Sequence, residues 1–65
     1  MMLLVKVIKD GKETSRNLTA IPRVKDLDRL KGPGMTTETI MKLKHKGAVK
    51  VKMTDGSTLE MVVLL

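Results

Sequence analysis

Residues 48–65 constrain the fold more narrowly than any other stretch. Val49, Val51 and Met53 alternate with Lys50 and Lys52, the period of a half-buried strand. Thr54-Asp55-Gly56-Ser57 follows, and then Thr58-Leu59-Glu60-Met61-Val62-Val63-Leu64-Leu65. Asp-Gly between two such runs is a hairpin signal, because Gly reaches positive φ without steric cost. A three-residue loop, Thr54-Asp55-Gly56, with Gly56 left-handed and forming a bulge, sets Val51 opposite Leu59, Val49 opposite Met61 and Lys50 opposite Glu60. A two-residue loop would set Val51 against Glu60, and the parity of the apolar positions argues against it.

The remainder must complete one small domain. A chain of 65 residues has room for neither a second core nor a buried cleft of enzyme size, so residues 1–65 are read as a single unit. It contains no Phe, Trp or Tyr, which leaves Val, Leu, Ile, Met and Ala to build the core. Such a core supplies only about 3–5 kcal/mol. With no Cys, neither a disulfide nor a cysteine-bound metal can reinforce it. Oligomerisation is the remaining common reinforcement, so a homo-oligomer, foremost a dimer, is expected. The absence of Cys fits a cytoplasmic chain. No apolar run reaches the length of a membrane span, and residues 1–5 are too short for a signal sequence and lack its cleavage site.

Residues 2–8 form a second strand. Leu3, Val5 and Val7 share one face and Leu4, Lys6 and Ile8 the other, so both faces carry apolar residues and the strand is expected at the centre of a sheet. Lys9-Asp10-Gly11-Lys12 is its turn. The return strand over 13–20 is mostly polar, with Thr14, Ser15, Arg16, Asn17 and Thr19, as befits an exposed edge. Pro22 suits the first turn of a helix. Val24, Leu27 and Leu30 then recur every three residues, predicting a short amphipathic helix or 3₁₀ segment that stops at Gly32-Pro33-Gly34. Thr36 or Thr37 caps a further helix, with Glu38 in its first turn, Ile40, Met41 and Leu43 on its apolar side, Lys44 bordering that side, and Gly47 closing it.

Together these elements predict an α+β fold: a small four-stranded mixed sheet of two hairpins, order 2-1-4-3, with one or two short helices between the hairpins. The first and last strands are then central, adjacent and parallel. Val5-Lys6-Val7 and Val49-Lys50-Val51 each precede an Asp-Gly pair. Duplication of a hairpin would give such an echo, and two hairpins converging on the same turn chemistry is the simpler account, the spacing differing by one residue. The opening hairpin, Val24-Lys25-Asp26-Leu27 after it and the run Ser57-Thr58-Leu59-Glu60-Met61-Val62-Val63-Leu64 resemble the ubiquitin-like β-grasp family in residue pattern. Gly32-Pro33-Gly34 stands where that family has one long helix, and the tail has no Gly-Gly for conjugation. No functional residue is carried over from the resemblance.

No catalytic constellation is present in the sequence. His45 is the one histidine and has lysines beside it, whereas a metal site needs three or four ligands at close quarters. Ser15 and Ser57 could be nucleophiles only with a base placed against them; Ser57 has a structural post beside a tight turn, and nothing recommends Ser15. Asp10 and Asp55 are turn residues, while Asp26, Asp28, Glu38 and Glu60 have ion-pair roles. Gly32-Pro33-Gly34 lacks the length and the Lys-Ser/Thr of a phosphate loop. The reading is of a non-enzymatic chain with no cofactor and no metal.

Two features suggest binding. Five of the 13 basic residues, Lys42, Lys44, Lys46, Lys50 and Lys52, fall between Thr39 and Thr54, where there is no acidic residue. With His45 they are the candidate contacts for nucleic acid or another acidic partner through phosphate or carboxylate charge. No aromatic residue is present to stack a base. The helix residues and the two strand lysines are expected on opposite sides of the domain, meeting only around Gly47. The second feature is the apolar character of both ends, Met1-Met2-Leu3-Leu4-Val5 and Met61-Val62-Val63-Leu64-Leu65. Short helices can cover only one sheet face, so Leu4, Ile8, Val62 and Leu64 are the candidate self-association residues. A self-assembly module is the first expectation for function, and a basic nucleic-acid-binding accessory protein the second.

Overall fold

Both Asp-Gly pairs close hairpins, by different turns. The computed structural model describes residues 1–32 and 34–64. In the first hairpin, β1 (Met2–Lys9) and β2 (Lys12–Ala20) are joined by Asp10 and Gly11 alone. Their φ values, 54° and 76°, are both positive, as a twist-matched two-residue turn requires. In the second, β3 (Ala48–Lys52) and β4 (Thr58–Leu64) flank the three-residue loop. The Gly56 N–H donates to the Met53 carbonyl at 3.2 Å and the Met53 N–H to the Ser57 carbonyl at 2.9 Å, while Gly56 has φ 89°. Val51 pairs with Leu59, Val49 with Met61 and Lys50 with Glu60, the register that parity required.

The sheet has the expected order, β2-β1-β4-β3. The expected mixed sheet with a parallel middle pair is corrected: β1 and β4 run antiparallel, from Met2 opposite Leu64 to Ile8 opposite Thr58, so every neighbouring pair is antiparallel. The physical reason lies in the connection. A single crossover helix carries the chain to the far end of the sheet and makes the outer halves of the two hairpins parallel. Here a seven-residue 3₁₀ helix, Val24–Leu30, and α1, Thr37–Lys46, go out and come back. The chain leaves β2 at Ala20, level with Met2 and Leu64, and re-enters at Ala48, opposite Val62 of the same sheet end. The reversal is marked by Gly32 and Met35; Pro33, in the expected break, lies outside the described residues. Gly32 and Met35 are joined by reciprocal backbone bonds of 3.2 and 2.9 Å. It is here that the chain parts from the β-grasp pattern of one long helix.

α1 packs on β3 and β4, and the 3₁₀ helix packs against α1 on the same side, contributing Leu27 to the shared core. Leu3, Ile21, Leu27, Met35, Ile40, Leu43 and Met61 form the buried core, with Val5, Val49, Val51, Leu59 and Val63 packed against it. Leu3, Leu27 and Leu43 are the most completely enclosed, each worth about 1.5–3 kcal/mol of transfer free energy. Thr36 caps α1, its Oγ1 accepting from the Thr39 N–H at 3.2 Å. Gly47 ends it at φ 77°, and its N–H donates to the Leu43 carbonyl at 2.9 Å. The expected apolar side of α1 included Met41, but Met41 is 57% exposed. At about 100° per residue it sits well round the helix from the arc through Ile40 and Leu43 that meets the sheet. Val24 is likewise 52% exposed, and Pro22, expected in the first turn, lies two residues before Val24 and outside the 3₁₀ helix, Arg23 being the cap.

One irregularity decides the face of β2. Val7 pairs with Ser15 but Ile8 pairs with Glu13, so Thr14 is an extra, bulged residue. Its Oγ1 donates to the Val7 carbonyl at 3.2 Å. Beyond the bulge, Ser15, Asn17 and Thr19 fall on the helix-covered side, while Arg16, Leu18 and Ala20 fall on the other.

Two stability measurements check this packing. Leu43→Ala should cost about 2–5 kcal/mol, comparable with the whole stability of such a core, whereas Met41→Ala should change it by less than about 0.5 kcal/mol. Urea denaturation followed by far-ultraviolet circular dichroism reads both. The second concerns Asp55. Its carboxylate accepts from the Ser57 hydroxyl at 2.5 Å and from the Ser57 N–H at 2.9 Å. These bonds, the hydroxyl's first, hold its pKa below the ordinary aspartate value. A carboxyl depressed on folding stabilises the fold above its unfolded pKa, about 3.9, and that contribution is lost as pH falls through the lower folded value. Asp55→Asn should therefore flatten the acid limb of the urea midpoint between neutral pH and about pH 2.

Candidate functional site: the open face of the sheet

The sheet face opposite the helices is covered by no element among the described residues. α1 packs on β3, β4 and the 3₁₀ helix, and all the core side chains point that way. The side chains on the open face can be read row by row from the register. At the end where the helical connection enters and leaves, Ala20, Met2 and Leu64 form one row, and Leu18, Leu4, Val62 and Ala48 the next. Seven apolar side chains thus lie side by side. Leu18 is 53% and Leu64 41% exposed, while Met2, Leu4 and Val62 are half-buried by one another. The third row is charged: Arg16, Lys6, Glu60 and Lys50. The fourth, nearest the two Asp-Gly turns, holds Glu13, Ile8, Thr58 and Lys52.

The structure brings together three of the four candidate self-association residues. Leu4 and Val62 are direct cross-strand partners, and Leu64 lies one row away beside Met2. Ile8 is separated from them by the charged row. Met2, Leu18, Ala20 and Ala48 were not singled out by sequence reasoning. The apolarity of Met2 was visible, but Leu18 and Ala20 sit in a strand that reads as polar, and only the Thr14 bulge turns them to this face. Ala48 borders a shallow depression, lined also by Lys50, Glu60 and Val62, because its methyl is far smaller than its neighbours' side chains.

The basic candidates divide between two sides. Lys42, His45 and Lys46 project from the outer face of α1, where with Glu38 and Met41 they border a shallow groove. Lys50 and Lys52 lie on the open sheet face. Lys44 is engaged elsewhere: its Nζ donates to Asp28 Oδ1 of the 3₁₀ helix at 2.7 Å, and its side chain is only 29% exposed. On the open face, Arg16 is held by Glu13 at 3.0 Å. Ser57 is buried and bonded to Asp55, a turn-locking role. Among the described residues no group of three or more His, Asp or Glu side chains comes together to hold a metal, and no helix is long and apolar enough to cross a membrane. No protein-family model, curated protein or solved structure matches the chain.

The Lys44–Asp28 pair ties α1 to the 3₁₀ helix from the edge of the core. Because Asp28 is 64% exposed, the pair should be worth no more than about 1 kcal/mol. A double-mutant cycle with Lys44→Met and Asp28→Asn should return a coupling in that range that shrinks at high salt.

Proposed function

We propose that the protein is a non-enzymatic interaction and self-assembly module whose docking surface is the apolar end of the open sheet face. The observation that carries this reading is the pair of adjacent apolar rows, one across three strands and one across all four, with none of the described residues packed on them. Apolar area of this kind, contiguous and rimmed by charge, is what marks a partner surface. The layer count points the same way: a sheet with helices on one side has one face left for water or for a partner. For a chain with an aliphatic core of this size, covering that face adds stability that the monomer lacks.

The nucleic-acid reading has less behind it, since the six basic candidates do not form one surface and Lys44 is paired with Asp28. What remains for it is the outer face of α1, where Lys42 and Lys46 flank His45.

The docking surface makes a direct prediction. Light scattering over a dilution series should show a mass above that of the 7.2 kDa chain, falling toward it on dilution. Leu4→Asp, which places a charge in the middle of the apolar rows, should give the monomer mass at every concentration while leaving the far-ultraviolet spectrum unchanged. A wild-type chain that remains a folded monomer, with no partner-induced shift on the amides of Leu4, Leu18 and Val62, contradicts the reading.

A further inference from the structure

The open face is self-complementary in size and in charge, and from this we infer that its partner is a second copy of the chain, related by a two-fold axis running along the strands between β1 and β4. The inference rests on the docking surface proposed above and adds to it the identity and orientation of the occupant.

Area is the first consideration. The chain exposes 4729 Å², against about 4,100 Å² expected for a compact monomer of this mass. The excess, roughly 600 Å², is close to what one partner of a small specific interface buries. Two copies would together bury about 1,200 Å², at the lower limit of specific interfaces and in keeping with reversible association.

The pattern on the face is the second. Two sheets packed face to face keep their strands nearly aligned at about 10 Å separation. A two-fold axis along the strands lays β1 on the partner's β4 and β2 on the partner's β3, row upon row. Met2 then meets the partner's Leu64, and Leu4 meets the partner's Val62. Leu18, the most exposed of the large apolar residues on this face, comes over the partner's Ala48, where the depression beside Glu60 and Val62 provides space. In the charged row Lys6 meets the partner's Glu60, and in the last row Glu13 meets the partner's Lys52. Each of these pairings occurs twice. One kind of like-charge approach, Arg16 to the partner's Lys50, also occurs twice; it falls at the edge strands, where Glu13, 3.0 Å from Arg16, lies between Arg16 and the partner's Lys52 and offsets it. A two-fold axis across the strands instead overlaps only the two apolar rows, leaves the charges unpaired and buries less. The Lys6–Glu60 pairings would set register and orientation more than they raise affinity, since desolvation offsets most of a buried pair's attraction.

A charge-reversal experiment tests this arrangement. In Lys6→Glu each chain presents Glu at position 6 to the partner's Glu60, and in Glu60→Lys each presents Lys to the partner's Lys6. Each variant alone should dimerise at least about tenfold more weakly than wild type, as like-charge juxtaposition demands. An equimolar mixture should recover wild-type affinity as a heterodimer, because both interface pairs are then opposite in charge. Native mass spectrometry with one variant isotopically labelled separates the three species, and circular dichroism confirms that each variant is folded. Should either central substitution unfold the monomer, Glu13→Lys mixed with Lys52→Glu repeats the test at the rim. If wild type dimerises and Leu4→Asp abolishes it, but the mixture shows no preference for the heterodimer, the axis is wrong and the docking surface stands. If wild type is monomeric at all concentrations, the second copy is excluded as the occupant. If Leu4→Asp dimerises as wild type does, the docking surface itself is misplaced.

Discussion

The pairing of β1 with β4 is the interaction on which the rest of the molecule depends. Each hairpin is local and closes through its own Asp-Gly turn, but within the sheet only this antiparallel seam joins the two. It puts Leu3 beside Val63 and Val5 beside Met61, which makes the floor on which α1 and the 3₁₀ helix rest. It also puts Leu4 beside Val62 on the reverse side. The same seam therefore builds the covered core and the uncovered face at once, and the two cannot be altered independently. Pairing residues so far apart in sequence carries a loop-closure cost, and the core that offsets it is aliphatic throughout.

How far this was legible from the sequence depended on whether the signal was local. The second hairpin's register followed from alternation and turn length alone, because a slip by one residue would have reversed every side chain. Strand order followed from which strands were apolar on both faces. Strand direction did not, because it depends on whether the connection makes one pass or two. The break at Gly32 and Gly34 was visible, but its consequence for β4 is a matter of counting segments in space. Met41 was misassigned because three apolar residues within four positions span a wide arc of a helix, and only the packing of α1 against β3 and β4 shows which part is used. Leu4, Val62 and Leu64 could be named from two-faced apolarity. Leu18 and Ala20 could not, since no local feature of a polar edge strand announces a bulge at Thr14.

The absence of aromatic side chains shapes the energetics of both faces. Leucine, valine and methionine fill space well but bring neither the area nor the rigid shape of a ring. The core is consequently assembled from many modest contributions, and loss of any fully enclosed leucine is felt by the whole domain. The same chemistry on the open face favours a broad, shallow contact over a single anchor residue in a pocket. On the proposed reading folding and association are linked, since a partner that covers that face stabilises the folded chain by mass action.

The bulge at Thr14 sets the phase of β2. Up to the bulge the hairpin keeps one frame, and beyond it every side chain is read in the other. Were Thr14 paired with Val7 in the ladder and not bulged out, Leu18 would align with Leu3 and Arg16 with Val5 beside the core, and Asn17 and Thr19 would occupy the open face in their place. The apolar character of that face is thus encoded less in which residues β2 contains than in whether Thr14 takes a place in the ladder. Drawing Thr14 into the ladder opposite Val7 would exchange an oily outer surface for a polar one, with composition untouched.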